Sequence, residues 1–467
     1  TVKDSSFSGT FSNAVNLFGS TGVVIEGNTF GDGNGFLQDG VAVTLSQTSG
    51  TVKDNTFKDG AYLDLRQVEG NTISATGNTF TLSDDEFGVV LRTEGSGDPA
   101  SDQITLESNT FTLGDGAVPV RNDLETVYEF GANTVDGSSV TLIVGTNAAD
   151  TISSDDTADE LIVAQGEDDI VTFTGDFADY TVSVSEGVIT VSKDGTTDTL
   201  TGVEALKFAD GFGVVEGLSI QDAVDAASAN DTILVADGTY REQVAIEGKD
   251  SLTLKAVGDG ATIEAPDTLV MNHTAANEGF DTRDRAAVVL VSDADGVTVE
   301  GFTIDGRGVG NTVSGNNGDF HGVFFFDASG TITDNAVTGI SDPPTDGEPG
   351  GAQRGRAIVA LNADDEPREL TVSDNTVTDY QKTGIETFGG GLTVTISGNT
   401  VTGAGFLSST GAIAQNGITV ADGTTGSVTG NTITEIGFQR DDFFTSHILA
   451  YQAGTLLSIT GNTLTGT

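Results

Sequence analysis

Short apolar and polar positions alternate along this chain in bursts of four to six residues, each closed by a turn. Gly40-Val41-Ala42-Val43-Thr44 is followed by Thr51-Val52-Lys53-Asp54-Asn55, and His321-Gly322-Val323-Phe324-Phe325 by Thr331-Ile332-Thr333-Asp334-Asn335. A period of two over so few residues predicts short, half-buried strands rather than helices. One phrase recurs at the turns. Gly27-Asn28-Thr29-Phe30, Asp54-Asn55-Thr56-Phe57, Gly77-Asn78-Thr79-Phe80 and Ser108-Asn109-Thr110-Phe111 open the series. Asp374-Asn375-Thr376-Val377, Gly398-Asn399-Thr400-Val401, Gly430-Asn431-Thr432-Ile433 and Gly461-Asn462-Thr463-Leu464 close it. The asparagines fall 27, 23 and 31 residues apart in the first group and 24, 32 and 31 in the last. Such a period marks a solenoid, in which each repeat buries its apolar face only against its neighbours.

The phrase suits that role. Asn tolerates the left-handed region of a turn, and stacked Asn amides can bond from one coil to the next. Thr would point outward and the following Phe, Val, Ile or Leu inward, with strands stacked near 4.8 Å. These asparagines are structural and not catalytic.

Between the two groups the pattern changes. Asp150, Asp159 and Asp168 are spaced by nine, as are Ile152, Leu161 and Ile170. The segments Gly145-Thr146-Asn147-Ala148-Ala149-Asp150-Thr151-Ile152 and Gly166-Glu167-Asp168-Asp169-Ile170 resemble RTX repeats, whose turns bind calcium in parallel β-rolls. The resemblance implies calcium at Asp150 and Asp168, one coil apart, with Asp159 between them. Most of the glycines of that motif are missing, and Ser154 stands where a second repeat would begin. Residues 176–215 then alternate as strands and look like the small β module that often follows RTX repeats in large secreted bacterial proteins.

A fresh start follows. Ser219-Ile220-Gln221-Asp222 has the spacing of a helix N-cap, and Leu218, Ile220, Ala223, Val224 and Ala227 share one side of a short helix over 218–229. A short amphipathic helix leading into successive strands resembles the N-terminal cap of a pectin-lyase-like right-handed parallel β-helix. The expected fold is therefore all-β, with two parallel β-helical stretches separated by a small β-roll. The boundaries are 1–140 for the end of a first β-helix, 141–215 for the RTX-like module, and 216–467 for a capped second β-helix. Both ends fall within the repeat pattern, with no initiator methionine and no signal peptide, which suggests a segment of something longer.

Charge narrows the partners. The 467 residues carry 70 Asp and Glu against 19 Lys and Arg, a formal charge of −51. Nucleic acid and anionic membrane both need a basic footprint, so neither is expected as a partner. There is no cysteine, which excludes a disulfide scaffold and thiol chemistry, and no apolar run long enough to span a membrane.

The β-helix resemblance also implies where chemistry would sit. In that family, which hosts many polysaccharide lyases, hydrolases and epimerases, the groove lies across stacked strands and is flanked by long loops from one edge. Segments 306–320, 341–355, 403–415 and 437–445 are such loops, all preceding the same strand. Aligning coils there brings His321, Arg356, Lys382 or Thr383, Asn416, and Ser446 or His447 to one edge. A lyase or epimerase needs a cation for a uronate carboxylate plus an acid and a base. His321, Arg356, Lys382 and Tyr380 could supply these, with Asp319 or Asp442 holding calcium. Against catalysis, the chain lacks the Asp-Pro-His-Glu motif of alginate epimerases and the paired Asp pattern of polygalacturonases. Asp39 stands where the second helix has His321. The leading expectation is a non-enzymatic extracellular protein. It would be a calcium-assisted β-helical block of a bacterial surface filament, layer or giant adhesin, exported by a type I-like route. Its partners would be other copies or neighbouring repeats. The alternatives are a secreted polysaccharide lyase or uronate epimerase, and a carbohydrate-binding adhesin that meets acidic polysaccharide through calcium.

Overall fold

A computed structural model describes residues 1–9, 13–31, 41–67, 70–93, 103–277, 280–310, 318–342, 355–405, 414–437 and 445–466. Strands dominate, and the chain divides into two compact units, Thr1–Ala209 and Asp210–Thr467. The module expected over 141–215 thus falls mostly within the first unit.

In the first unit each coil visits three parallel sheets. The first sheet holds Val2–Lys3, Val23–Glu26, Gly50–Lys53, Thr72–Thr76 and Gln103–Glu107. The phrase then turns the chain into the second sheet, where Phe7, Phe30, Phe57, Phe80 and Phe111 stand in register. Their rings stack with centroids 4.9, 5.0, 4.7 and 4.8 Å apart. That spacing equals the strand separation of a sheet, so one Phe per coil makes a continuous aromatic column. The third sheet, from Val15–Phe18 to Val118–Asn122, completes the coil.

The asparagines form a second column. Asn55 is 1 % exposed; its Nδ2 and its backbone N–H both donate to Asn78 Oδ1, at 2.9 and 3.1 Å. Its Nδ2 also reaches the Ile25 and Lys53 carbonyls, and its Oδ1 accepts from the Asn28 backbone N–H and Nδ2. A buried primary amide is thereby fully satisfied, which a hydroxyl or carboxylate could not achieve here. The left-handed turn falls one residue earlier than the sequence suggested. Asp54 has φ 56°, Gly77 66° and Ser108 57°, whereas Asn turns its amide inward to bridge coils.

Beyond the antiparallel hairpin Tyr128–Val135/Ser138–Val144, two-strand coils take over. Ile143, Ile162 and Leu200 align in one sheet, and Ile152, Val171 and Leu206 in another.

The second unit begins with the helix Ile220–Ala226, which buries Ile220, Ala223 and Val224. Asp222 N–H donates to Ser219 Oγ at 3.1 Å, the expected cap. Glu242 accepts from the Ile220 and Gln221 amides. Lys249 Nζ donates to the Val224, Asp225 and Ala227 carbonyls, so both helix ends are closed by opposite charge. Parallel coils follow. Leu254, Val299, Ile332, Val372, Ile396 and Val428 make one apolar column. Asn335, Asn375, Asn399, Asn431 and Asn462 repeat the amide ladder. The third sheet runs through Asp319–Phe326, Gly355–Leu361, Thr383–Phe388 and Asn416–Ala421. Its strands are buried on both faces, unlike Leu392–Ser397, which alternates. Phe324 and Phe325 are therefore both buried, where strict alternation allowed one or the other.

Candidate functional site

On the third sheet of the second unit, His321, Arg356, Thr383, Asn416 and Ser446 occupy one register row. Two acids join them. Arg356 Nη1 lies 3.0 Å from Asp319 Oδ1, and its Nε lies 2.5 Å from Glu386 Oε2. Asp319, His321 and Glu386 are 5, 1 and 6 % exposed. The charges touch, yet Arg356 Nε, Arg356 Nη1 and Glu386 Oε2 lack ideal hydrogen-bond geometry with any partner among the described residues. Thr383 Oγ1, Thr419 Oγ1 and both ring nitrogens of His321 are likewise buried without a partner among the described residues. So many open polar positions in one patch is unusual, because buried polar groups are normally satisfied.

Burial governs the protonation states. It pushes the His321 imidazole down to about 3 despite Asp319, so the ring is neutral. It also raises Glu386, against the pull of Arg356 and Lys382. Lys382 is lowered by burial, and its Nζ donates to the Ala414 carbonyl at 2.9 Å. The result is a mixed patch: a guanidinium between two carboxyls, an ammonium at its side, and a neutral imidazole tilted against Phe324 with centroids 4.8 Å apart. Such a set can bind a carboxylate or polarise a sugar hydroxyl.

A model of the right-handed β-helix region matches residues 1–158 and 257–433. The chain belongs to the right-handed β-helix family. A search of the curated proteins found no match. The family accounts for the parallel sheets, and it leaves open which of its functions this β-helix performs. No helix among the described residues is long and apolar enough to cross a membrane.

The structure brings three of the sequence candidates, His321, Arg356 and Lys382, into this one patch of the β-helix. The register row takes Thr383 rather than Lys382, and Ser446 rather than His447. Tyr380 lies apart. It is 3 % exposed inside the coil, its ring carbon Cε1 near Gly384, and burial alone raises its hydroxyl, with no contribution from the charged patch. Asp319 ion-pairs with Arg356, while Asp442 and most of the four loops lie outside the described residues.

Sequence reasoning missed Glu386. In the column Phe324, Val359, Glu386 it is the one acid among apolar residues, and that break was the available signal.

The aspartates of the module are arranged differently from the nonapeptide expectation. Thr151 pairs with Ile170 and Ile152 with Val171, so coils repeat every 19 residues and Asp150 stands opposite Asp169, not Asp168. Asp150 N–H donates to Asp169 Oδ1 at 2.7 Å, and Asp169 N–H to Glu204 Oε2 at 2.8 Å. The Asp150 carboxylate itself accepts from Thr146 N–H and Oγ1. Asp168 takes a left-handed turn at φ 64° on the surface, and Asp159 Oδ1 accepts from Thr197 N–H. Among the described residues no three acidic or histidine side chains converge as a metal group.

Proposed function

We propose that this β-helix is a non-enzymatic extracellular structural element, a block of a cell-surface filament, layer or large adhesin. Its partners would be further coils, whether neighbouring repeats of a longer chain or other copies. The observation that carries this reading is the pair of unbroken buried Asn ladders, one in each unit. Each amide passes its bonds to the next coil, so resistance to pulling is spread along the axis and no coil is an isolated weak point. The charge of −51 fits the same role, because it keeps the sides of a rod from aggregating. Divalent cations such as calcium would screen these carboxylates and stiffen the assembly, with the turns holding Asp150, Asp159 and Asp168 as the first places to look. Electron microscopy and light scattering with calcium and with a chelator test it. Cation-dependent rods or layers are expected; monodisperse short particles under all conditions would count against it.

A second reading has a specific observation behind it, the unsatisfied patch around Arg356. There the β-helix would bind, or act as a lyase or epimerase on, an acidic polysaccharide. Titration with alginate and pectate oligomers decides the matter, along with an assay for unsaturated uronides. Binding or turnover lost in Arg356→Ala would favour the saccharide over the purely mechanical role.

A further inference from the structure

In the first unit, Glu160 and Asp198 lie side by side, 3 and 4 % exposed. They belong to the strands Glu160–Val163 and Thr196–Thr201, which pair in parallel. Asp198 is well served: its Oδ1 accepts from Glu160 N–H at 3.1 Å and its Oδ2 from Ser154 Oγ at 2.9 Å. Glu160 is less so: Ser154 and the Asp155 N–H serve its carboxyl, but its Oε2 is buried without a partner among the described residues. The groups around the pair offer little compensation. The preceding turn presents Asp155, Asp156 and Asp159, and the flanking strand Ser138–Val144 carries no titratable side chain. Lys193 on the strand Val188–Lys193 is engaged elsewhere, with Nζ 3.2 Å from the Tyr180 hydroxyl and 4.0 Å from Asp156. Two ionised carboxylates here would be buried against like charge with no cation of their own.

We propose that Glu160 and Asp198 share one proton, making this module a pH-responsive element that is firm while the proton is held and loosens when it leaves. Burial first, and then the Asp198 charge, push the Glu160 carboxyl up to about 7 from 4.5. Burial raises Asp198 too, so the two titrate as a pair. In the unfolded chain the Glu160 proton leaves at lower pH than in the fold. Rising pH across that window therefore disfavours the folded module, by a factor on the order of a hundred when the step is complete.

Hydrogen exchange on the full chain, expressed as protection factors, reads this directly. Between about pH 5 and pH 8, protection at Leu161, Ile162 and Leu200 should fall at least tenfold, while strand Leu392–Ser397 of the second unit does not follow. Glu160→Gln should keep high protection without the fall, because an amide needs no proton to stay neutral. Asp198→Asn should move the fall to more acid pH, because the Asp198 charge no longer holds the Glu160 proton. A flat wild-type profile, or a Glu160→Gln slope equal to wild type, overturns the proposal. If Glu160→Gln fails to form the module, Asp198→Asn decides: a shifted step supports the shared proton and an unchanged one overturns it.

Discussion

The carboxylate of Asp54 leans over Gly77 of the next coil, so that a Cβ on Gly77 would stand 2.6 Å from Asp54 Oδ1. Both residues take left-handed turns, at φ 56° and 66°. Asp4 and Gly27 repeat the arrangement, with the corresponding distance 2.8 Å. The variable first letter of the phrase is thus not free. In these two pairs, and again at Asp374 and Gly398, the Gly leaves room for the carboxylate and avoids stacking a second charge, although Asp334 and Asp374 do follow one another in adjacent coils. Gly77→Ala should cost about 1–3 kcal/mol from strain and crowding together, and Gly77→Asp more. Swapping the two, Asp54→Gly with Gly77→Asp, should recover part of the loss, which a double-mutant cycle in urea would measure. Additive losses would show that the two positions do not communicate.

The amide ladder predicts a gradient of mutational cost. Asn78→Ala removes the acceptor for both Asn55 N–H and Asn55 Nδ2 and leaves them buried. A loss of roughly 2–4 kcal/mol is expected from two stranded donors. Asn462→Ala removes the same acceptor from Asn431, but Asn462 is itself only half-buried and water can replace it. Its cost should stay under about 1 kcal/mol. Denaturation midpoints of the two variants give the comparison, and equal costs would argue against a ladder acting through burial.

Phe57 stacks on Phe30 and Phe80 at 5.0 and 4.7 Å and is fully buried. Phe57→Ala should open a cavity in the middle of the column and cost about 3–5 kcal/mol. Phe57→Leu keeps most of the volume and should cost about half as much. Urea unfolding of the two variants measures the difference. A small effect of the alanine change would mean that the column collapses to fill the gap.

The columns were legible in the sequence because a solenoid repeats one chemical choice per coil. Asn28, Asn55 and Asn78 announce the turn, and Phe30, Phe57 and Phe80 the interior. The helix cap at Ser219 was legible for a similar reason, since its signal is local. What was hidden depends on register or on contacts between distant coils. The nine-residue spacing of Asp150, Asp159 and Asp168 suggested coils of eighteen, and one added residue per coil turns Asp169 toward Asp150 instead. Tyr380 and Lys382 are two residues apart, yet one points into the coil and the other lies beside the charged patch. Glu386 pairs with Arg356 across 30 residues of chain, and nothing local to Thr383–Phe388 announces that partner.

Arg356 and Glu386 also test what the patch is for. Removing one member of a buried ion pair strands the other, so Arg356→Met alone should destabilise the second unit by about 3–5 kcal/mol. Arg356→Met with Glu386→Leu should come back toward wild type if the pair only fills space. If the double variant is stable but no longer binds an acidic oligosaccharide that the wild type binds, the patch is a ligand site. Thermal unfolding and calorimetric titration on the same three proteins separate these outcomes.

His321 gives the second unit a pH dependence opposite in sign to that of the Glu160 pair. In the fold its ring stays neutral down to about pH 3, whereas an unperturbed histidine takes up its proton near 6.5. Between those values the unfolded chain binds more protons than the folded one, so stability rises with pH. The contribution is fully present above about 6.5 and is lost progressively as pH falls toward 3. A shift of this size corresponds to a loss on the order of 5 kcal/mol at the acid end. Many carboxylates titrate in the same range, so the useful quantity is a difference between proteins. His321→Gln should unfold with a shallower dependence on pH than wild type between about 3.5 and 6.5. Identical slopes would show that His321 can be protonated in place, with Asp319 and not burial controlling the ring.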